Sequence, residues 1–294
     1  VGEALIAATR RLRDAGIGEE PRAEARRLLL GAVAGLTSER LLGWPETALS
    51  PEAADAFARA VERRAAREPL AYVTGEREFY GRTFKVVPGV LVPRPDTETL
   101  VDAALAAFPD LAAPLRVLDI GVGTGCLLLT VLSLFPNARG TGTDLADEAL
   151  ACAAANAEAL GLADRVTLRR ASWATGIDGP FDLVLSNPPY IAEGEIAGLQ
   201  PEVRDWEPRL ALSGGTDGLD AYRALAPELV RLLAPEGVAL LEIGAGQEPA
   251  LRAWFAANGL ATRASWPDLA GTARCLELLP PRSGRGPRRP SLTG

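Results

Sequence analysis

The sequence predicts an α/β protein in which a parallel sheet, with helices on both faces, follows a small helical domain. From residue 115 onward, short apolar runs alternate with helical segments, as in parallel sheets. Before about residue 70, apolar residues recur at helical spacing among Arg and Glu. With 294 residues, of which 48% are hydrophobic, the chain can bury a core of useful size. The predicted parts are a helical domain at 1–74, a hairpin linker plus sheet domain at 75–280, and a disordered tail at 281–294.

Local signals predict the ends of the first elements. Asp14-Ala15-Gly16 is typical of a helix end, whereas Ser50-Pro51-Glu52 combines an N-cap, a first-turn proline and an acid near the positive helix end. We expect the second of these helices to end at Pro69. Residues 72–95 are rich in β-branched and aromatic residues with a turn signal at Gly81, which predicts a hairpin. In the sheet domain we predict strands at 115–120, 141–144, 166–168, 181–185 and 237–243, and helices at 147–160 and 222–233.

Composition limits the functions that the chain can have. A formal net charge of -7 gives no general attraction to nucleic acid phosphates. The absence of histidine excludes an imidazole base and a Cys/His zinc site, and we expect no metal. Three cysteines without CxxC spacing fit a reduced compartment. Because Arg10, Arg11 and Arg13 interrupt the first apolar stretch and no run approaches the ~20 residues of a membrane span, we expect a cytoplasmic protein without membrane contact.

A glycine-rich turn, Gly121-Val122-Gly123-Thr124-Gly125, separates the first predicted strand from its helix. Glycines there permit a tight turn and let a ligand approach the backbone closely. Asp144 ends the next strand, at the separation expected for an acid that binds ribose hydroxyls. By itself the turn could be only a strand-to-helix connection. Together with Asp144, it predicts a nucleoside-containing cofactor at the carboxyl edge of the sheet, where open α/β folds bind ligands.

The spacing of the glycines and a neighbouring acid favour S-adenosyl-L-methionine over NAD. The dinucleotide pattern is GxGxxG, whereas this turn reads GxGxG. Asp119 lies just before the glycines, and its negative charge suits a cationic sulfonium with its ammonium group. The same charge would be unfavourable beside a pyrophosphate. The sequence therefore predicts a methyl donor at this edge.

A second motif, Asn187-Pro188-Pro189-Tyr190, directly follows the fourth predicted strand. Two prolines stiffen the chain and remove two backbone donors, so the Asn amide and outward carbonyls remain to hold the two hydrogens of a planar NH2 group. Tyr190 can stack on that plane. When the lone pair of the nitrogen is delocalised, fixed hydrogen-bond acceptors and correct orientation of that lone pair toward the methyl group supply much of the rate. Alone, the motif could be only a proline turn; in this place it predicts methyl transfer to an amide or amine nitrogen, with Asn187, Pro188 and Tyr190 catalytic.

The combined motifs are similar to those of the amino-methyltransferases, which include adenine-N6 DNA enzymes and protein-glutamine enzymes. Further distinctive segments are PLAYVTG at 69–75, EFYG at 78–81, VPRPDTE at 92–98, EVRDWEPRLAL at 202–212 and GGTDGL at 214–219. These segments resemble those of the peptide chain release factor glutamine methyltransferases, and the resemblance runs from the N-terminal helices to about Pro280.

The resemblance implies a Rossmann-like S-adenosylmethionine-dependent methyltransferase sheet, preceded by a small helical domain that docks the substrate. It implies methylation of the side-chain N5 of the glutamine in the Gly-Gly-Gln motif of release factors. Ser172 departs from the family, which often has an acid there for the adenine amino group, and Val122 replaces a small polar residue. Cofactor contacts are implied for residues 121–125, Asp144, Trp173 and Asn187, and substrate contacts for Asn187, Pro188, Pro189 and Tyr190. Without the resemblance, Trp173 would more often be a core residue.

Three other functions remain open from the sequence. An adenine-N6 DNA methyltransferase would share the cofactor and the acceptor motif, but it must flip a base and hold a duplex with a basic domain. The basic cluster of this chain lies in the tail, at 282–289, without aromatic residues. An NAD-dependent oxidoreductase would leave residues 187–190 unexplained. A translation-factor binder without activity would not need intact motifs. We therefore expect an active enzyme with release factors as its partners. Because the chain is acidic, we expect no direct binding to nucleic acid.

Overall fold

A computed structural model describes residues 1–17, 20–33, 36–37, 39, 43 and 48–281. Residues 282–294 of the predicted tail lie outside the described residues. The chain forms two compact units, one of Val1–Val92 with Gly194–Leu212, and the other of Pro93–Glu193 with the chain from Ser213 onward. The first unit therefore includes a segment that is remote in sequence from its remainder. The domain limits that we predicted at residues 74 and 280 stay a prediction.

The first unit is built on amphipathic helices around an apolar core that includes Leu12, Leu29 and Phe57. As predicted, the hydroxyl of Ser50 caps a helix by accepting from the backbone N–H of Ala53 at 3.2 Å. That helix ends at Ala65 and not at Pro69, because the chain turns sharply at Arg67, whose φ is +70°. Pro69 instead precedes the next short helix. The helices of this part are α1 (Gly2–Asp14), α2 (Pro21–Ala32), α3 (Pro51–Ala65) and α4 (Leu70–Thr74).

The predicted hairpin is formed by β1 (Glu76–Phe79) and β2 (Arg82–Lys85), which pair in antiparallel fashion. Its two loop residues, Tyr80 and Gly81, both have positive φ, as a type I′ hairpin turn requires. Phe79 and Phe84 are buried and meet edge to face, with their ring centroids 6.2 Å apart. The predicted hairpin is therefore confirmed. It could be predicted because the signal for its turn lies in the adjacent residues.

Buried charges hold the remote segment within the first unit. Arg64 is only 5% exposed and bonds to Glu24 at 2.5 Å and to Glu202 at 3.0 Å. Arg67 reaches the other oxygen of Glu202 at 2.8 Å. Removing one partner of such a buried pair typically costs about 3–5 kcal/mol, so these contacts fix the segment that carries Glu202. Its helices are α8 (Pro201–Arg204) and α9 (Arg209–Leu212).

The second unit contains a seven-stranded sheet with the order β5-β4-β3-β6-β7-β9-β8. The first five strands in this order are parallel, as predicted, but β9 runs antiparallel to β7, and β8 runs antiparallel to β9. An all-parallel sheet was therefore wrong at one edge. The strands are β3 (Arg116–Ile120), β4 (Arg139–Asp144), β5 (Val166–Arg170), β6 (Phe181–Ser186), β7 (Leu233–Glu242), β8 (Ala261–Pro267) and β9 (Ala273–Leu279).

Helices connect the parallel strands and cover the sheet. Strand β3 lies between β4 and β6, so the strand order reverses beside it, and ligands bind at such switch points in open α/β sheets. Within the described residues, no helix combines the length and the apolar character that crossing a bilayer requires. The helices are α5 (Glu98–Ala107), α6 (Cys126–Leu134), α7 (Asp147–Ala159), α10 (Asp220–Leu232) and α11 (Glu248–Ala257).

Candidate active site

The segments predicted to carry the chemistry meet at the carboxyl edge of the parallel strands. Ile120 of β3 pairs with Thr143 of β4, and Asp119 pairs with Leu185 of β6. The glycine-rich turn, Asp144 and the motif at 187–190 therefore follow neighbouring strand ends. This arrangement is the one that their positions in the sequence predicted.

The three glycines of the turn serve two different purposes. Gly121, Gly123 and Gly125 have φ values of +80°, +53° and +80°, a region that other L-residues rarely adopt. A Cβ at Gly121 or Gly123 would enter open space, so a ligand could approach the backbone closely at these two residues. A Cβ at Gly125 would stand 3.0 Å from Leu129 and 3.2 Å from Ala153. The third glycine therefore permits close helix packing, and the first two form an open cradle.

Asp144 holds the turn that it was predicted to accompany. One carboxylate oxygen accepts from the backbone N–H of Gly123 and the other from that of Ala146, both at 3.0 Å. Each carboxylate oxygen has a further lone pair, so Asp144 can still accept from the hydroxyls of a ligand. The acid consequently links the cradle to the end of the neighbouring strand.

Two residues of the turn point away from the cradle. Val122 and Thr124 are buried, and Val122 fills the space that a side chain at Gly142 would need. The carbonyl of Thr124 accepts a hydrogen bond at 2.9 Å from the side-chain amide of Asn156, a buried residue of α7. Val122 and Thr124 can therefore reach a ligand only through their backbone. Neither Gly142 nor Asn156 was predicted as a site residue, although a glycine inside a strand and a polar amide in an Ala-rich helix are both recognisable signals.

Asp119 is 2% exposed at the end of β3. Burial raises its pKa well above the usual range, a hydrogen bond from the backbone of Leu128 opposes that rise, and the charge of Asp144 adds to it. A buried carboxylate is stable when a cation accompanies it. A cationic ligand beside Asp119 would act against this rise in pKa, because it favours the ionised carboxylate.

Trp173 is half-buried and packs against the core of the second unit. Its φ is +54°, which is unusual for a bulky residue and concentrates at functional sites. The hydroxyl of Thr143 donates to its carbonyl at 2.7 Å and holds this conformation next to the end of β4. Ser172, before it, is exposed. Trp173 thus packs against the core at the carboxyl edge, and its predicted contact with the cofactor stays a prediction.

The motif at 187–190 is held by a hydrogen-bonded network. Nδ2 of Asn187 donates to Oγ1 of Thr97 at 3.1 Å, and this hydroxyl donates to Oε2 of Glu242 at 2.6 Å. The phenol of Tyr190 donates to the other oxygen, Oε1 of Glu242, at 3.1 Å. Both ends of the motif are therefore tied to one carboxylate.

Glu242 is 1% exposed, at the carboxyl end of β7. Burial raises its pKa to about 7, against the lowering effects of hydrogen bonds from Thr97 and Tyr190 and of the Arg274 charge. Burial and the Glu242 charge also raise the pKa of Tyr190, so its phenol stays protonated. The carboxyl of Glu242 consequently changes charge near neutral pH.

Tight backbone packing supports the same motif from a second side. A Cβ at Gly214 would stand 2.7 Å from the carbonyl oxygen of Pro189, and one at Gly218 would stand 2.4 Å from that of Tyr190. The side-chain amide of Gln247 donates to the Tyr190 carbonyl at 2.9 Å. These contacts explain Gly214 and Gly218, since larger residues there would displace the motif.

The supporting residues Thr97, Glu242 and Gln247 were missed as site residues. Thr97 lies in a segment whose only signal was a family resemblance, and Glu242 lies inside a predicted strand. An acid in the apolar run at the carboxyl end of a strand was the available signal, because Glu is almost never fully buried unless paired. Among the described residues, no group of three His, Cys, Asp or Glu side chains could hold a metal ion.

Comparison with known proteins gives matches over both parts of the chain. The family model described as the PrmC N-terminal domain matches residues 3–75, and the methyltransferase small domain matches residues 98–200. A release factor glutamine methyltransferase from Cereibacter sphaeroides is 50% identical over 92% of this chain and 95% of its own length. Proteins of the same name from Rhodospirillum rubrum and Moorella thermoacetica are 42% and 44% identical, covering 99% and 93% of this chain and 87% and 96% of theirs.

Solved structures show the same fold at low sequence identity. The catalytic domain of hMettl16, in complex with a 3′UTR hairpin, aligns with a TM-score of 0.55 and 16% identity, covering 75% of this chain and 81% of that one. A methyltransferase from Pyrococcus furiosus aligns with a TM-score of 0.50 and 18% identity, covering 77% and 98%. These likenesses confirm the predicted methyltransferase type of α/β fold.

Proposed function

Since the chain belongs to the family of release factor glutamine methyltransferases, we propose that it methylates the side-chain N5 of the glutamine in the Gly-Gly-Gln motif of peptide chain release factors. The methyl donor is S-adenosylmethionine, and the reaction takes place in the cytoplasm. One observation supports the assignment of the acceptor: the Asn187 amide donates its own N–H to Thr97, so the amide oxygen is not used in that hydrogen bond and can accept one from the substrate.

The carboxyl edge fits the cofactor. S-adenosylmethionine supplies an electrophilic methyl group on a sulfonium, and it also carries an ammonium group. The open cradle at Gly121 and Gly123 gives room for it beside the backbone, and the buried Asp119 favours a cation. Asp144 accepts from the ribose hydroxyls, and Trp173 forms the wall against the adenine. The full proposed set is Gly121, Val122, Gly123, Thr124, Gly125, Asp144, Trp173 and Asn187, with Val122 and Thr124 acting through their backbone.

Residues 187–190 hold the methyl acceptor. Oδ1 of Asn187 and the carbonyl of Pro188 accept the two hydrogens of the glutamine NH2, and the ring of Tyr190 lies against its plane. Pro189 keeps the backbone stiff between them. These fixed acceptors increase electron density on nitrogen and aim its lone pair. The proton leaves to solvent after transfer, so a chain without histidine can support the reaction.

Residues 1–74 dock the release factor. Support comes from the separate family match at 3–75, outside the methyltransferase match, and from Ile6, which is 65% exposed on α1. Ile6→Ser should raise KM for the whole release factor and leave methylation of a short Gly-Gly-Gln peptide unchanged. Leu269→Ser, at an exposed turn of the second unit, is the matched control. Equal KM values for Ile6→Ser and the control would remove Ile6 from the docking surface.

The decisive experiment follows a labelled methyl group. The protein is incubated with radiolabelled S-adenosylmethionine and either a purified release factor, the same factor with its motif glutamine replaced by glutamate, or duplex DNA. We expect label only in the first sample, on the motif glutamine. Label in DNA would instead support an adenine-N6 enzyme, and label in the glutamate variant would place the modification elsewhere. We propose that no nucleic acid takes part, so added DNA should neither accept methyl nor compete.

A further inference from the structure

We propose that Thr97 and Glu242 are positioning residues that set the direction of the Asn187 amide, so that its oxygen and not its nitrogen faces the methyl-accepting nitrogen. This role rests on the proposed function, in which Asn187 accepts a hydrogen bond from the substrate amide. Thr97 ends a short 3-10 turn, Pro95–Thr97, and Glu242 ends β7, so both are far from Asn187 in sequence. In this scheme neither residue contacts the glutamine that accepts the methyl group.

The direction follows from counting hydrogens. An ionised carboxylate only accepts hydrogen bonds, so the 2.6 Å contact between Glu242 and Thr97 uses the single hydroxyl hydrogen of Thr97. The oxygen of Thr97 can then only accept from Asn187, and only the nitrogen of that amide can donate. The amide oxygen is thereby turned away from Thr97. Without this constraint the two ends of an amide are similar enough in shape to exchange places.

Burial makes the constraint effective. Thr97 is 3% exposed and Glu242 is 1% exposed, so water does not compete for their hydrogen bonds. The second oxygen of Glu242 accepts from the phenol of Tyr190, which fixes the other end of the same motif. One carboxylate consequently orients both the amide that accepts the substrate N–H and the ring that lies against the substrate.

Protonation of Glu242 would reverse the network. A protonated carboxyl can donate to the Thr97 oxygen, and the Thr97 hydrogen is then available to the oxygen of Asn187, which favours the opposite amide direction. Burial raises the pKa of Glu242 to about 7, so turnover should fall as pH drops through that value. Glu242 interacts electrostatically with titratable and charged groups from several surrounding elements. These groups are Asp96, Cys126, Tyr190, Tyr222, Arg274 and Cys275.

The test compares three threonine variants of the full chain. Thr97→Val keeps the shape but removes the hydroxyl, and we expect kcat for glutamine methylation to fall about tenfold to hundredfold, less than the direct loss of a positioned acceptor. Cofactor affinity should fall no further than it does in Asn187→Ala, because Asn187 itself remains in place. Thr97→Ser restores a hydroxyl and should recover kcat to within about threefold. Thr130→Val is the matched control, because Thr130 is fully buried and its hydroxyl has no partner among the described residues.

Two readouts separate positioning from packing. Wild-type kcat should rise between pH 6 and pH 8, and the Glu242→Gln variant should lose this inflection. In NMR spectra of the free protein, the side-chain NH2 signals of Asn187 should titrate in the wild type but not in Glu242→Gln, and should lose protection from exchange in Thr97→Val.

Several outcomes would overturn the assignment. They are wild-type kcat in a folded Thr97→Val, equal impairment of Thr97→Val and Thr97→Ser, or Asn187 signals that do not respond to either substitution. Failure of the proposed function is distinguishable, because the wild type itself would then leave glutamine unlabelled while the NMR response of Asn187 would still report the network.

Discussion

The two halves of the carboxyl edge are built in different ways. The half that follows β3 is a continuous turn whose shape depends on glycines with positive φ and on backbone amides held by Asp144. The half that follows β6 depends on side chains from three distant segments, namely Thr97, Asn187 and Glu242. The first half should therefore be sensitive to backbone conformation. The second should be sensitive to the number and direction of hydrogen bonds and to pH.

A buried acid in each half sharpens the contrast. Burial raises the pKa of both Asp119 and Glu242. Around Asp119, the neighbouring Asp144 raises the pKa further, so a cationic ligand would favour its ionisation. Around Glu242, donors from Thr97 and Tyr190 and the charge of Arg274 lower it, so the carboxyl ionises near neutral pH without a ligand. One acid suits ligand binding and the other suits internal orientation.

The largest effect should come from Asn187 itself. Asn187→Ala removes a positioned acceptor and should lower kcat by ~10²–10³, while cofactor binding is partly retained. The fold should survive, because Asn187 lies at a strand end and is only half-buried. Steady-state kinetics and calorimetry measure the two quantities. Adding Thr97→Val to Asn187→Ala should cause little further loss, because both substitutions act along one path. Wild-type turnover of Asn187→Ala would contradict the acceptor role.

A comparable effect on stability should follow from Glu242. Its pKa in the folded protein is raised from 4.5 to about 7, so protonation stabilises the fold; this contribution is complete below about pH 4.5 and is lost as pH rises through 7. Glu242→Gln cannot ionise. The free energy of unfolding of the wild type, relative to Glu242→Gln, should therefore fall by roughly 3 kcal/mol between pH 4.5 and pH 8. Chemical denaturation of both proteins measures it. Parallel pH dependences would show that Glu242 does not titrate in this range.

In the first half of the edge, Asp144 provides the corresponding test. Asp144→Ala should weaken S-adenosylmethionine binding by roughly 1.5–3 kcal/mol, through the lost ribose contact and the lost support of Gly123. Asp144→Asn keeps one acceptor and the shape, so it should lose less. Calorimetry measures both, with NAD as the ligand that should not bind. Binding of NAD by the wild type, without response to the methyl donor, would overturn the cofactor assignment.

The same difference explains what the sequence could predict. The parallel strands, the hairpin and the Ser50 cap depend on local patterns, and the structure confirms them. The antiparallel edge was missed because β8 has no fully buried residue and no apolar run, and it carries Arg263, which pairs with Glu277 of β9. The place of residues 194–212 in the first unit was also unpredictable, because it depends on Arg64 meeting Glu202 far along the chain.

For the candidate site, both motifs were recognisable because each lies in one stretch of sequence. Their supports were not, since a motif does not say that Thr97 and Glu242 converge on Asn187. Nor does the glycine pattern reveal that the side chain of Val122 points into the sheet, against Gly142. Contacts between distant residues require the topology, and the strand order was not predicted in detail.

The smallest expected effect isolates backbone shape from ligand contact in the first half. Gly121→Ala places a Cβ at φ +80°, which should cost roughly 1–2 kcal/mol of unfolding free energy because L-residues are strained in this region. Gly161→Ala is the matched control: its φ is +67° and its Cβ would also enter open space, but it follows α7 at the opposite edge of the sheet. Both variants should lose similar stability by chemical denaturation. Only Gly121→Ala should also bind S-adenosylmethionine about tenfold more weakly, equivalent to about 1.4 kcal/mol, because its Cβ enters the cradle. Equal cofactor affinity of the two variants would mean that Gly121 is required only for the conformation of the turn and that the cofactor does not approach its backbone.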